Sequence, residues 1–296
     1  MNLNDILTWD DWAKTFQDIE TFRNLIEEIF HHHNLKLSDI EQTYPATNAV
    51  FKVGEYIVKI FVPDVIKPWD ADDFEIEYRN AMSNKSINNY KPLLHASGAI
   101  QKDMCWKYLV FEFVDGTLFY QAIRNLTYEN KNLIVKQLKQ FLKEFNKTPK
   151  GKIDNSYIID RVINDNRWYF LNDDVKSELF DYLKKEDISN SVTVHGDITG
   201  DNVLLTDKGI VIIDFGDSCV APKYYEYAPI VVDLFQCDKE LIELFFDNVK
   251  EGIELTIKSI LLHDFGGDIA SKLLQSESVD SLAELRTKLR KKLLNK

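Results

Sequence analysis

Two segments constrain the fold of this chain more than any others: Val194-His195-Gly196-Asp197-Ile198-Thr199-Gly200-Asp201-Asn202-Val203-Leu204-Leu205 and Val211-Ile212-Ile213-Asp214-Phe215-Gly216-Asp217. Val203 to Leu205 reads as a strand, Asp207-Lys208-Gly209 as a tight turn and Ile210 to Ile213 as the returning strand. Such a hairpin puts Asn202, at the start of its first strand, beside Asp214, at the end of its second. Asp197 lies just beyond a short apolar-rich run, Ser191 to Val194. Gly216 allows a backbone shape that a side chain would obstruct.

The chemistry available to those groups is narrow. Phosphoryl transfer from a nucleotide needs one carboxylate to orient and deprotonate an acceptor hydroxyl, here Asp197. It also needs a carboxylate and an amide oxygen to hold magnesium on the phosphates, here Asp214 and Asn202. A lone H-G-D or D-F-G arises by chance; the ordered set with a hairpin between its parts is far more specific. His195 reads as a structural hydrogen bonder rather than a proton shuttle.

The upstream half must supply a cation for the donor phosphates. Tyr56-Ile57-Val58-Lys59-Ile60-Phe61-Val62 is a strand pattern with one charge inside it, and Ile57, Lys59 and Phe61 share a face. A lysine on so apolar a strand calls for a partner. Ala49 to Glu55 leads into it through a turn at Gly54, making a hairpin. Asp70 to Met82 reads as a helix with acids crowding its first turns. Glu77 is the preferred partner for Lys59, with Glu75 second. Tyr108 to Thr117 is a buried strand ending in a turn, equally a core strand or a link that presents its backbone to a purine edge.

The H-G-D-x-x-x-x-N and D-F-G-D segments, the lysine strand and the Val110–Gly116 hinge together resemble the aminoglycoside phosphotransferase and choline kinase-like family, from about Thr43 to Glu226. That resemblance implies an α+β, bilobed protein kinase-like fold with a small β-rich N-lobe and a large helical C-lobe. It also implies ATP or GTP and Mg2+ as cofactors. By resemblance, Asp197 is the catalytic aspartate, Asn202 and Asp214 are the magnesium ligands, and Lys59, paired with Glu77, is the phosphate-contacting lysine. Backbone groups of Glu112 and Val114 meet the base edge. Leu204 and Ile213 form an apolar floor beneath the base and Ile57 part of its roof. Thr47 and Asn48 occupy the phosphate-covering loop. That loop, Tyr44 to Phe51, contains no glycine, so the G-x-G-x-x-G of protein kinases is absent and phosphate contacts fall to Thr47, Asn48 and the backbone. Gly196 stands where protein kinases have arginine. After D-F-G-D, many members carry a G-D-P-x-x-D-like segment; this chain has Ala221-Pro222-Lys223-Tyr224-Tyr225-Glu226. Asp217 either supports the metal site or caps a turn.

Composition sets outer bounds. The 296 residues are 45% hydrophobic and 28% charged, an ordinary globular profile. They suffice for a two-lobed chain, expected as a nucleotide-binding lobe with leading helices over 1–114 and a helical lobe with catalytic hairpin and acceptor site over 115–296. No uncharged apolar stretch is long enough for a membrane span, and Met1 to Asp11 is not a secretory pattern. Cys105, Cys219 and Cys237 read as thiols of a reducing compartment, so the expected location is cytoplasmic. Net charge is −12; residues 286–296 carry six basic groups and no acid, leaving −18 on the rest. An acidic body disfavours nucleic acid and suits a polycationic acceptor or plain solubility.

The basic end reads as a terminal helix. His31-His32-His33 points about 100° apart per residue on a helix, so one shared metal ion is disfavoured; the expectation is a helix ending near Asn34 with its dipole stabilising the histidines. Residues 1 to about 40 are expected helical, as are Thr127 to Asn146 (buried stripe Leu133, Leu138, Phe141, Leu142, Phe145), Asp154 to Asp187, and most of Ile230 to Asn295. The acceptor pocket is expected near helices at 155–187 and 230–265, where Asp160, Asp233 and Glu240 are either available to amino groups or, more commonly for such acids, simply solvated helix residues. The reading is a kinase acting on a hydroxyl of a small polar acceptor, foremost an aminoglycoside. Choline-like alcohols, sugars and homoserine are alternatives, as are an atypical protein kinase and a non-catalytic nucleotide-binding regulator.

Overall fold

The computed structural model describes residues 3–44, 46–83, 85–149 and 156–294. The chain divides into two compact units, 1–115 and 116–296.

The first unit opens with helices α1 (Trp9–Thr15) and α2 (Ile19–His32), capped respectively by the Thr8 hydroxyl and preceded by Asp18. Five antiparallel strands follow: β1 (Ile40–Gln42), β2 (Ala49–Val53), β3 (Tyr56–Ile60), β4 (Leu94–Gln101) and β5 (Cys105–Glu112), in the order β1-β2-β3-β5-β4. Helix α3 (Asp73–Ser83) falls between β3 and β4. The β2–β3 turn uses Gly54 at φ +60°, a region glycine enters without steric penalty. Along β2, Ala49, Phe51 and Val53 alternate inward. With Val58 and Ile60 they bury against Phe22, Leu25, Ile26, Ile29 and Phe30 of α2, each buried side chain contributing about 1.5–3 kcal/mol. Trp12, Phe22, Phe51 and Trp106 contact one another at ring-centroid separations of 5.6–6.4 Å.

Two expectations change in this unit. The stretch expected helical to about residue 40 is helical over Trp9–Thr15 and Ile19–His32, with a 3-10 turn at Leu3–Asp5 and no helix from 33 to 40, where the first strand begins. At the end of α2, His33 does not serve as a cation on the helix dipole. Its Nε2 lies 2.8 Å from the Tyr108 hydroxyl, and burial lowers its pKa, so it is held neutral.

The second unit contains β6 (Thr117–Leu118), α4 (Phe119–Ala122), α5 (Tyr128–Phe145), α6 (Ser156–Asn164) and α7 (Asp173–Leu183). Then come strands β7 (Ser191–Val194), β8 (Val203–Thr206), β9 (Gly209–Ile212) and β10 (Cys219–Pro222), and helices α8 (Lys239–Phe245), α9 (Val249–Leu262), α10 (Gly266–Leu274) and α11 (Leu282–Leu294). Pro229–Leu234 makes a π-helical turn. The hairpin β8–β9 pairs with β6, and β7 pairs antiparallel with β10. The β7–β10 pairing was not foreseen, because Cys219–Pro222 is too short a run to signal a strand.

Helix α5 is capped by Thr127 and buries Lys131, Ile134, Val135, Leu138, Phe141 and Phe145. Leu133, placed in the stripe by sequence, is 55% exposed: at 100° per residue it lies off the face that Ile134 and Leu138 define. Lys131 takes an inward position because Asp238 and Glu240 meet its Nζ at 2.6 and 2.9 Å. The stretch expected helical from Asp154 is broken by a 3-10 turn at Asn166–Trp168. Asp154 itself, and Asn295 at the other end of the chain, lie outside the described residues. The cations of α11 are engaged locally, Arg290 with Glu254, Lys292 with Glu277 and Lys288 with Glu284. Among the described residues no helix is long and apolar enough to cross a membrane.

Candidate active site

In the first unit, Lys59 Nζ donates to Glu77 Oε2 at 2.6 Å, and the two residues are only 5% and 3% exposed. Glu75 turns instead to Arg79. A buried pair of this kind fixes the lysine's position because neither partner can be left alone without several kcal/mol of cost. Thr47 is exposed and its carbonyl receives the indole N–H of Trp12. Asn48 is buried and its Oδ1 accepts the Val62 N–H at 3.2 Å, so that oxygen braces the loop. Ile57 is half-buried on β3. The Glu112 N–H is taken by the Leu93 carbonyl and its Oε1 by the Leu93 N–H. Val114 follows, just past Phe113, whose N–H reaches Glu55.

In the second unit, the loop His195–Asn202 joins β7 to β8, and its conformation is held from several directions. Asn202 Nδ2 donates to Asp197 Oδ2 at 2.7 Å and to the Asp197 carbonyl at 3.0 Å. With Nδ2 so committed, Oδ1 of the same amide points away and is presented as an acceptor. The Ile213 N–H donates to the Asn202 carbonyl at 3.0 Å, extending the hairpin ladder by one rung and setting Asp214 beside Asn202. Asp214 adopts φ +60°, a left-handed conformation that aspartate tolerates better than most side chains. Leu204 and Ile213 are half-buried on the hairpin.

Burial, then the charges of Asp217, Asp214 and Asp233, push the Asp197 carboxyl well above the usual carboxylate range, against the lowering effect of Asn202. Carboxylates gathered in this way, next to an amide oxygen, are the hard-oxygen donor set a divalent magnesium ion prefers. Asp214 and Asn202 therefore fit as its protein ligands, and the ion would supply positive charge to donor phosphates.

His195 is fully buried. Its Nδ1 accepts the Asp197 N–H at 3.2 Å and its Nε2 donates to the Ile213 carbonyl at 3.2 Å. Its ring packs on Phe215 with centroids 4.6 Å apart. Nε2 thus ties the loop to Ile213, just ahead of the D-F-G segment, while Nδ1 braces the loop internally. Gly196 sits at φ +85°, and a Cβ there would lie 2.5 Å from the Asp217 carbonyl oxygen. No arginine or any other side chain fits at that position without moving backbone.

Three further residues hold the loop and were missed or misread from sequence. Glu226, buried, receives the His195 N–H at 2.6 Å and the Gly196 N–H at 3.2 Å. His263, buried on α9's C-cap, donates from Nε2 to the Gly196 carbonyl at 2.8 Å while its Nδ1 accepts from Phe265. Burial depresses its pKa to about 3, so it stays neutral. Asp233 uses Oδ1 to accept the Gly200 N–H at 3.0 Å, while its Oδ2 lies 3.7 Å from Lys272 Nζ. Glu240 is similarly engaged by Lys131, whereas Asp160 is exposed. Glu226 was marked in the sequence only as the glutamate standing for the final aspartate of the G-D-P-x-x-D-like segment, with no role attached; His263 had no signal.

Burial pushes Glu226 up to about 7, opposed by its two N–H donors. Its folded pKa thus exceeds its unfolded one, so the native state retains a proton that the unfolded chain has released. The stability this gives is complete below pH about 4.5 and disappears as pH rises through 7, a loss of about 3 kcal/mol. Denaturant unfolding of Glu226→Gln from pH 5 to 8 should lack this decline; parallel curves for the two proteins would contradict the assignment.

A strand-rich unit with a buried Lys–Glu pair and a helical unit with an Asp–Asn–Asp loop and hairpin define a phosphotransferase of the protein kinase-like fold. The sequence profile described as APH, phosphotransferase enzyme family, matches residues 45–246, and the chain belongs to that family. No curated protein matches it in sequence. Among solved structures, the GDP complex of wild-type aminoglycoside 2'-phosphotransferase-IIIa is similar with a TM-score of 0.59 at 14% identity, covering 92% of this chain and 98% of that one. The GDP and kanamycin complex of an APH(2")-type enzyme gives 0.61 at 15%, covering 92% and 99%. Aminoglycoside phosphotransferase APH(4)-Ia gives 0.54 at 13%, covering 92% and 96%.

Proposed function

We propose that this phosphotransferase moves the γ-phosphoryl group of ATP or GTP, with Mg2+, onto a hydroxyl of an aminoglycoside. The observation that carries the reading is the Asp197–Asn202–Asp214 constellation on one loop and hairpin. Asp197 accepts the hydroxyl proton and aims the oxygen; its hydrogen bond from Asn202 fixes the carboxylate's orientation. Asn202 Oδ1 and Asp214 hold the metal, which shields donor-phosphate charge. Lys59, set by Glu77, neutralises phosphate oxygens, with Thr47 and Asn48 in the phosphate loop. Backbone groups of Glu112 and Val114 serve the base edge, and Ile57, Leu204 and Ile213 offer it apolar contact.

The acceptor class rests on family membership, on the acids around Asp197 and on the net charge of −12, which together favour a polycation. A pure nucleotide-binding regulator has no use for Asp197. The proposed location is the cytoplasm, where ATP and GTP are at hand, and modification of an antibiotic there would confer resistance. The test is turnover of Mg-ATP and Mg-GTP against kanamycin-type aminoglycosides, choline, homoserine, simple sugars and a protein substrate. Aminoglycoside-dependent release of the nucleoside diphosphate, ADP or GDP, is the expected result. Turnover confined to another acceptor would replace the acceptor class, and phosphate found only on protein would replace the small-molecule reading.

A further inference from the structure

The second unit contains a cavity of about 520 Å³ at the C-terminal end of α5, apart from the Asp197 constellation. Its size is that of a site for a small organic molecule. Lys139, Lys143, Lys147 and Lys223 line it. In a chain of net charge −12 this is a local reversal of sign. Lys139 pairs with the exposed Asp247. Lys147 Nζ donates to the Lys143 carbonyl. Among the described residues no carboxylate forms a salt bridge with Lys143, Lys147 or Lys223.

Beside Asn146 and Thr148, the remaining wall is apolar and aromatic. Tyr227 meets Phe245 and Phe246 edge-on, with centroids 5.7 and 5.2 Å away. Phe246 is held in place by Gly252, where a Cβ would strike its ring at 2.2 Å. Asn146, on the same lining, has a buried Oδ1 with no hydrogen-bond partner. An orphaned acceptor of this kind destabilises the fold unless a donor reaches it.

We infer that this cavity binds a small organic anion with a flat apolar body, its anionic group among Lys143, Lys147 and Lys223 and an N–H or O–H donor on Asn146. The description answers three observed features: three lysines that no carboxylate among the described residues bridges, an aromatic wall, and an unfilled acceptor. The site touches the catalytic loop's supports, since Val192 on its wall lies on β7, three residues before His195, and Tyr227 follows Glu226. The inference does not depend on which acceptor the enzyme phosphorylates.

8-Anilinonaphthalene-1-sulfonate has the three required features: a sulfonate, fused aromatic rings and an N–H. Titrated into the full chain, it should give saturable single-site fluorescence that persists at saturating Mg-ATP. Lys143→Glu/Lys147→Glu/Lys223→Glu should weaken it at least tenfold, and Asn146→Leu several-fold, with thermal melting showing that both variants fold. If the triple variant does not fold, Lys223→Glu alone should weaken binding about threefold. Phenyl phosphate should displace the probe at lower concentration than inorganic phosphate. Binding unchanged in the folded lysine variants, competition by Mg-ATP, or equal potency of the two phosphates would overturn the inference.

Discussion

Asp197→Ala should lower the rate of phosphate transfer by about 10²–10⁴-fold, the span that a positioned general base contributes. The structure explains why the loss should be confined to chemistry. The loop around Asp197 is held by backbone contacts from Glu226, His263, Asp233 and Tyr120, none of which uses the Asp197 side chain. Only the Asn202 amide loses a partner, and it keeps its bond to the Asp197 carbonyl. Melting temperature and nucleotide affinity should therefore stay close to wild type, and kcat and kcat/KM should fall together. A variant with wild-type turnover would remove Asp197 from the reaction.

Asp214→Asn should abolish the magnesium dependence of nucleotide binding. Asparagine is the informative replacement because residue 214 sits at φ +60°, where asparagine is tolerated and alanine is strained. The backbone and the neighbouring rung from Ile213 to Asn202 are thus kept, and the charge alone is removed. A hard divalent cation loses its one anionic protein ligand of the Asn202–Asp214 pair, so calorimetric affinity for Mg-ATP should drop by at least tenfold towards that for ATP without metal. Equal affinity in variant and wild type would show that Asp214 does not hold the ion.

Much of this site was readable before folding because its signals are local. The hairpin from Val203 to Ile212 announces itself by apolar runs and a turn, so the closeness of Asn202 and Asp214 follows from pairing geometry over a dozen residues. Lys59 stood out as a charge within an apolar strand, and an acid on the following helix was the natural partner. Leu133 failed for a different reason: adjacent apolar residues on one helix leave the buried face ambiguous by 100° until a neighbour chooses it. His33 failed because a helix end says nothing about what will pack on it, and Tyr108 comes from 75 residues away.

The residue types along 194–217 were enough to specify the turn, the strands and the oxygen donors they carry, since those depend on neighbours in the chain. What packing alone decided is the scaffold beneath them. Glu226, 31 residues beyond His195, and His263, 67 beyond Gly196, both grip the loop's backbone and are both buried. Their pKa values move in opposite directions, Glu226 to about 7 and His263 to about 3, because burial favours the neutral form of each. Contacts made with main-chain N–H and carbonyl groups leave no pattern in the partner's sequence, so only the assembled tertiary structure reveals them.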